Sequence, residues 1–560
     1  MSNTALRRSA AIGLAFGAGA VHLAVVGVIL MLHQRAIIVG SLTLGQAALL
    51  LIAAGAGLMA ARSPNVGEGL LSGMLAGAAC GLPIAALTML ISLVPLRLIF
   101  IALSPALFDM LSFGQGLAAG MAILISSGAI AGLVGAGLRL RPPTLRRAVV
   151  PGIVAVLVFG VFQELIQLML QRYEGIVGEI RDFIYSWEGL TPEGATACFA
   201  VAAFWGAGWG FLRQALDARE LMPGPKHQRM LRAGLALVAL ALLPAVAGSY
   251  IGQVLMLVGL YILMGMGLNL EVGLAGLLDL GFVAFFAVGA YATALLTADA
   301  PHALAHLSYW AAMPVAVLLA IVVGVLFGLP VLGVRGDYLA VATLGLGEIV
   351  RVIVMSDFAA PLLGGAQGIL QIPKPSLGAV TLGTPVALFY LTLFCSGVAA
   401  LVAWRLENSR LGRAWMALRD DEDVAQALGI NLIRCKLLAY GLGAAFAGLA
   451  GSIFATMLSS VYPSSFQLLI SANVLALIII GGMGSLPGVV IGSLALIGLP
   501  ELLREFGEYR YLFYGAVLIV MMRLRPEGLW PSEVRRRELH AGDETLALAA
   551  GGNQLPAVQR

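Results

Sequence analysis

Stretches of about 20 mostly apolar residues recur from Ser9 almost to Met522, and no other feature of the sequence restricts the fold so tightly. A helix of that length rises about 30 Å, the thickness of a bilayer's hydrocarbon core. With 60% hydrophobic and 11% charged residues in a chain of 560, there is more apolar side chain than one soluble core could hide. The 70 glycines would weaken soluble helices, but they let membrane helices approach closely. The expected fold is therefore an all-α, polytopic transmembrane helical bundle with about sixteen hydrophobic segments, some of them broken or re-entrant.

Lys and Arg collect on the cytoplasmic side of short loops, which orients the segments. Six segments near 10–32, 37–60, 68–94, 114–138, 148–170 and 194–213 alternate between basic and Arg-poor loops. Arg7, Arg8, Arg62, Arg139, Arg141, Arg146 and Arg147 fall inside, as do Arg213, Arg219, Lys226, Arg229 and Arg232; Arg35 and Arg172 fall outside, against the trend. The polar stretch 217–232, broken at Pro223-Gly224-Pro225, separates an N-terminal membrane domain, 1–230, from a second, 231–530.

Ten further segments follow, near 233–247, 250–270, 274–297, 309–333, 339–355, 386–404, 437–457, 467–483, 487–503 and 509–523. An even number of crossings leaves both termini in the cytoplasm, in agreement with Arg523, Arg525, Arg535, Arg536 and Arg537. Residues 531–560 read as a disordered cytoplasmic tail. The first segment follows Arg7 and Arg8 as a signal peptide's would, but its length fits a retained span.

The run Gly267 to Gly281 (GLNLEVGLAGLLDLG) ends one apolar stretch and starts the next, and it sets Asn269, Glu271 and Asp279 at membrane depth. Ionisable groups there are costly and usually face a protein interior or a watery cavity. The plainer reading makes Glu271 a solvated turn residue and Asp279 a helix-start acid favoured by the dipole. The run continues as FVAFFAVGAY to Tyr291, and later come VRGDYLA (334–340), TLG (343–345), GEIVR (347–351), GGMGS (481–485) and RPEGL (525–529). In this order these motifs closely resemble the LivM-type permeases of branched-chain amino acid ABC importers. The resemblance implies a translocation pathway near Asn269, Glu271, Gly273, Gly276, Asp279, Gly281, Gly289, Tyr291, Arg335, Gly336, Asp337, Tyr338, Glu348, Gly481, Gly482 and Gly484.

Between the segments ending near Trp404 and starting near Leu437 lies a charged loop, which Arg405, Arg410, Arg413, Arg419, Arg434 and Lys436 place inside. Asp420 or Asp421 can cap a short helix there, Glu422 and Asp423 suit its positive end, and Gly429 can end it in a left-handed turn. Val424 and Leu428 share a face, while Ala425 and Ala427 keep the helix slim. Asp423-Val424-Ala425 and Gly429 are similar to the family's coupling-helix signature, although Val replaces the first Ala and Asp the usual Glu. A plain solvated loop is the competing reading.

Small residues recur every fourth position at Ala444, Gly448 and Ser452, and at Ala447, Gly451 and Ala455, giving nearly flat helix faces for close crossing. No phosphate-binding loop occurs, and there are three lysines, Lys226, Lys374 and Lys436, so no ATPase or other enzyme activity is expected of this chain. Cys80, Cys198, Cys395 and Cys435 read as buried free thiols, and the pair His302 and His306 as exposed loop residues; no metal site, bound cofactor or nucleic-acid surface is expected. The family implies a second, LivH-like permease, two ATP-binding subunits that use ATP and Mg, a solute-binding protein, and residence in the bacterial inner (plasma) membrane. Residues 1–230 carry none of the motifs and read as an accessory domain. Rival readings are an ion- or proton-coupled secondary transporter titrating Glu271, Asp279 and Glu348, and a passive channel or membrane scaffold.

Overall fold

The computed structural model describes residues 3–62, 65–140, 143–171, 173–217, 240–299, 303–334, 336–378, 380–507, 509–525 and 527–531. Pro223-Gly224-Pro225, Arg335, His302 and the tail beyond 531 lie outside the described residues, as do residues 233–239 of the segment expected at 233–247. The chain forms two compact units, Met1–Ala236 and Leu237–Arg560.

Nine helices among the described residues are long and apolar enough to cross a membrane. A bent pair, Arg146–Val161 and Gln163–Leu170, turns by 73°, the geometry of a broken span or a re-entrant loop; Leu44–Ala60, Val283–Thr297 and Leu486–Leu502 are shorter apolar helices. The protein is an all-α, multi-pass membrane bundle.

In the first unit α1 (Asn3–Val26), α2 (Val28–His33), α3 (Leu44–Ala60), α4 (Val66–Leu93), α5 (Pro105–Leu111) and α6 (Leu117–Leu140) pack around two apolar clusters, one centred on Ile29, Leu107 and Leu111, the other on Ala56, Ala76 and Cys80. Arg139 donates from Nη1 to the Leu58 carbonyl (2.9 Å), so the Arg62 and Arg139 loops share one end of this unit. The apolar stretch 37–60 is not one helix. Its first residues form β1 (Ala36–Ile38) and β2 (Leu42–Thr43), joined by β3 (Tyr185–Ser186) and β4 (Gly189–Leu190) in a small sheet of order β2-β1-β4-β3. Thr43 then starts α3 with a reciprocal cap to Gln46. The remaining helices are α7 (Pro143–Val161), α8 (Gln163–Leu170), α9 (Ile176–Ile184) and α10 (Pro192–Asp217).

The second unit is built on α11 (Ser249–Leu268), α12 (Val283–Thr297), α13 (Tyr309–Val331), α14 (Asp337–Met355), α15 (Pro385–Glu407), α16 (Arg410–Asp420), α17 (Glu422–Ala427), α18 (Leu432–Leu458), α19 (Leu468–Gly481), α20 (Leu486–Ser493) and α21 (Tyr509–Leu524). The long α18 is its axis. On α18, Gly451 lies against the Phe286 carbonyl of α12 and Gly448 against Ala320 of α13, so its small-residue faces serve two neighbours. At the end remote from the charged loop, β5 (Ile369–Leu370) pairs with β6 (Ser460–Val461). Lys374 there donates to the last carbonyls of α18, Thr456 at 2.7 Å and Met457 at 2.8 Å, and desolvation lowers its pKa from the ordinary lysine value. Cys80, Cys198, Cys395 and Cys435 are free thiols.

Candidate functional site

Two broken helices meet inside the second unit. After Leu268, α11 loosens into a π-helical turn over Asn269–Leu274, a form that leaves backbone groups needing other partners. The buried Asn269 supplies one, its Oδ1 accepting from the Gly484 amide at 2.8 Å. Gly484 belongs to the second break, where Gly482 stops α19 with φ +117 and Ser485 starts α20 by accepting from the Gly488 amide. The RPEGL segment closes over it: Leu529 donates to the Ile480 carbonyl (2.7 Å) and Trp530, the next residue, to that of Gly481 (2.9 Å). Gly273 lies against Asn269 and Gly484, and Gly528 against Gly482. Motifs far apart in sequence thus form one junction.

The two acids of the first motif sit beside this junction, both buried. Asp279 accepts from the Gly281 amide at 2.7 Å, and Thr343 accepts from that of Leu280 at 3.0 Å. The Glu271 carboxyl occupies the space that a side chain at Gly443 would fill. The Glu271 and Asp279 carboxyls adjoin each other, and the neighbouring Tyr440 hydroxyl has no hydrogen-bond partner among the described residues. Two adjoining buried carboxylates in such a place could not both be ionised without a large penalty.

The charged loop reaches the same place. Arg419, at the end of α16, donates from Nη1 to the Gly273 carbonyl at 2.9 Å, and its stem lies against Gly276, whose φ of +72 suits glycine. Trp415 of α16 is buried and donates to the Cys435 carbonyl at 2.9 Å. Asp421 caps α17 by accepting from the amides of Asp423 and Val424, and Gly429 follows the helix with φ +86. Ala425 is buried, while Val424 is 54% and Leu428 75% exposed, an apolar pair on an otherwise charged loop. Behind them Glu422 pairs with the buried Lys436 at 2.8 Å. Asp420 faces Arg419 at 3.8 Å.

Other residues singled out by sequence lie elsewhere. Gly336, with φ +62, precedes α14; Asp337 begins that helix, and Tyr338 is exposed. Gly281 abuts the Thr343 carbonyl, and Gly289 abuts Gly448. Tyr291 is buried, and Glu348 is ion-paired with Arg351 one turn on. Sequence reasoning quoted Arg351 and Thr343 inside motifs without singling them out. It missed Tyr440 and Gly443, which sit on a helix read as a packing seam. Among the described residues no group of three or more His, Cys, Asp and Glu could hold a metal ion; His306 lies 3.6 Å from Asp299.

Residues 250–522 match the family model of the branched-chain amino acid transport system permease component. The chain is 35% identical over 340 residues to the high-affinity branched-chain amino acid transport system permease protein LivM of Escherichia coli K12, covering 52% of this chain and 78% of that protein. Against LivM of Salmonella typhimurium the figures are 36% over 309 residues, 50% and 70%. LivH of E. coli K12 is 30% identical over 176 residues, 31% of this chain and 55% of LivH. No solved structure matches.

Proposed function

The chain belongs to the permease components of branched-chain amino acid transport systems, and from that premise we propose that its second unit forms one half of a heteromeric, ATP-driven import pathway. It is a transport permease rather than an enzyme. Hydrolysis of ATP with Mg falls to two partner subunits, a LivH-like permease supplies the other half, and a solute-binding protein delivers the amino acid. Both termini face the cytoplasm, and the first unit is an accessory membrane domain.

The observation that carries this reading is Arg419. It ties the loop presenting Val424 and Leu428 to the junction of Asn269, Gly273 and Gly484. An ATPase gripping α17 would pull directly on the two helix breaks, and interrupted helices at membrane depth are where permeases handle polar cargo. The secondary-transporter reading leaves the exposed apolar pair on α17 without a use.

The test is gentle purification of the tagged chain from its native membrane with identification of bound subunits. Two ATP-binding subunits and a second permease are expected, and they should be lost from the variant D423K/L428D. A homo-oligomer without ATPase, from membranes that contain candidate ATPases, would overturn the proposal in favour of ion coupling.

A further inference from the structure

Resting on that reading, we propose that Arg351, Glu348 and Tyr291 form an outer subsite for a zwitterionic amino acid with an apolar side chain, the guanidinium taking its carboxylate. The opposite end of α14 fixes which side this is. Just beyond α13, Leu332 and Gly333 line a cleft with Glu422, Gln426 and Lys436 of the charged loop. Helix α14, which begins a few residues later, therefore runs away from the ATPase-facing end, and Arg351 lies in its last two turns. That is the side from which a binding protein would deliver cargo.

Three observations meet there. Arg351 donates from Nε to Glu348 Oε1 at 2.8 Å and from Nη2 to the same oxygen, so the side chain folds back along the apolar helix. The pair is partly exposed, 33% for Arg351 and 46% for Glu348, and ionised groups at such a depth face protein or water rather than lipid. Arg351 also borders a cavity walled by Val283, Ala287, Val350, Val354 and Phe466. Tyr291 lines the same cavity, 5% exposed, with its hydroxyl unpartnered among the described residues. Guanidinium, orphan hydroxyl and apolar wall are the groups that a carboxylate and a branched side chain need.

In this structure the cavity is about 10 Å³, the size of one water, so binding requires α14 to move outward. Nothing in this chain covers the other face of α14, where Val341, Ile349, Val352 and Ile353 are exposed among the described residues. The charge arithmetic selects the ligand. A zwitterion adds one charge of each sign to the Glu348–Arg351 pair, giving two pairs, Arg351 with the carboxylate and Glu348 with the ammonium. A net cation or anion would leave one charge unmatched at membrane depth.

The test uses vesicles holding the assembled transporter and measures L-leucine moved per ATP with saturating loaded binding protein. R351Q should cut uptake roughly tenfold and Y291F several-fold, the worth of a charged and a neutral hydrogen bond. Stimulated ATP hydrolysis should persist in both, so leucine per ATP falls; a purely structural role would lower both rates together. The swap E348R/R351E keeps an intrahelical pair and should stay as defective as R351Q. Wild-type leucine per ATP in R351Q and Y291F, or recovery in the swap, overturns the subsite alone. Failure of the unaltered assembly to move leucine, isoleucine or valine overturns the parent reading and the subsite with it.

Discussion

Asn269 joins two helix breaks through one side-chain oxygen, and the energetic weight of that contact can be bounded. Replacing it with Leu leaves the buried Gly484 amide unpartnered, which costs about 1–3 kcal/mol. N269L should therefore melt lower in detergent than the parent; an unchanged melting temperature would show that the bond carries nothing. Glu271 gives the opposite expectation. Its carboxyl is buried against that of Asp279, so E271Q removes an ionisable group while its amide can still hydrogen-bond Asp279, and should be at least as stable as the parent. A marked loss of stability in E271Q would reveal a cationic or donor partner. The sequence marked both residues because polar groups at membrane depth are conspicuous. It could not marry Glu271 to Gly443 or Asp279 to Tyr440, because those partners lie on a helix whose small-residue repeat reads only as a packing face.

At the scale of elements, capping chemistry was the most legible feature. The acids before Val424 and the glycine after Leu428 predict a short helix with defined ends, and α17 has its cap at Asp421 and a left-handed residue at Gly429. In so short a helix the cap is a large share of its stability. D421A should cost about 1 kcal/mol locally and speed amide exchange over Asp423–Gly429 without altering exchange in α18. Equal exchange in both chains would mean that Ala425 and the Glu422–Lys436 pair hold the helix alone. Less legible was the run 36–43. Its residues are as apolar as a span, but hydrophobicity without a period does not separate a buried strand from a helix end, and the partner strands come from Tyr185 to Leu190. The breaks at Asn269–Leu274 and Gly482–Ser485 were legible as interruptions, through their glycines and polar residues. That they face each other was not, since Asn269 and Gly484 are brought together only by tertiary packing.

Over the whole molecule, the motifs all fall in the unit from Leu237 onward, while the first unit has apolar clusters of its own around Ile29, Leu107 and Ala56. Each unit is compact by itself, and the first has a hydrophobic interior of its own. The asymmetry has a direct consequence for transport. The proposed chain of contacts runs from α17 through Arg419 to Gly273, Asn269 and Gly484, all within the second unit. A chain beginning near Leu237, supplied with a start residue and a first cytoplasmic turn, should insert and keep the leucine moved per ATP of the full protein. Membrane abundance should fall at most several-fold. Immunoblot and vesicle uptake separate these quantities. Normal abundance with abolished transport would make the first unit part of the pathway, because the contacts between α17 and the junction would then be insufficient to drive it.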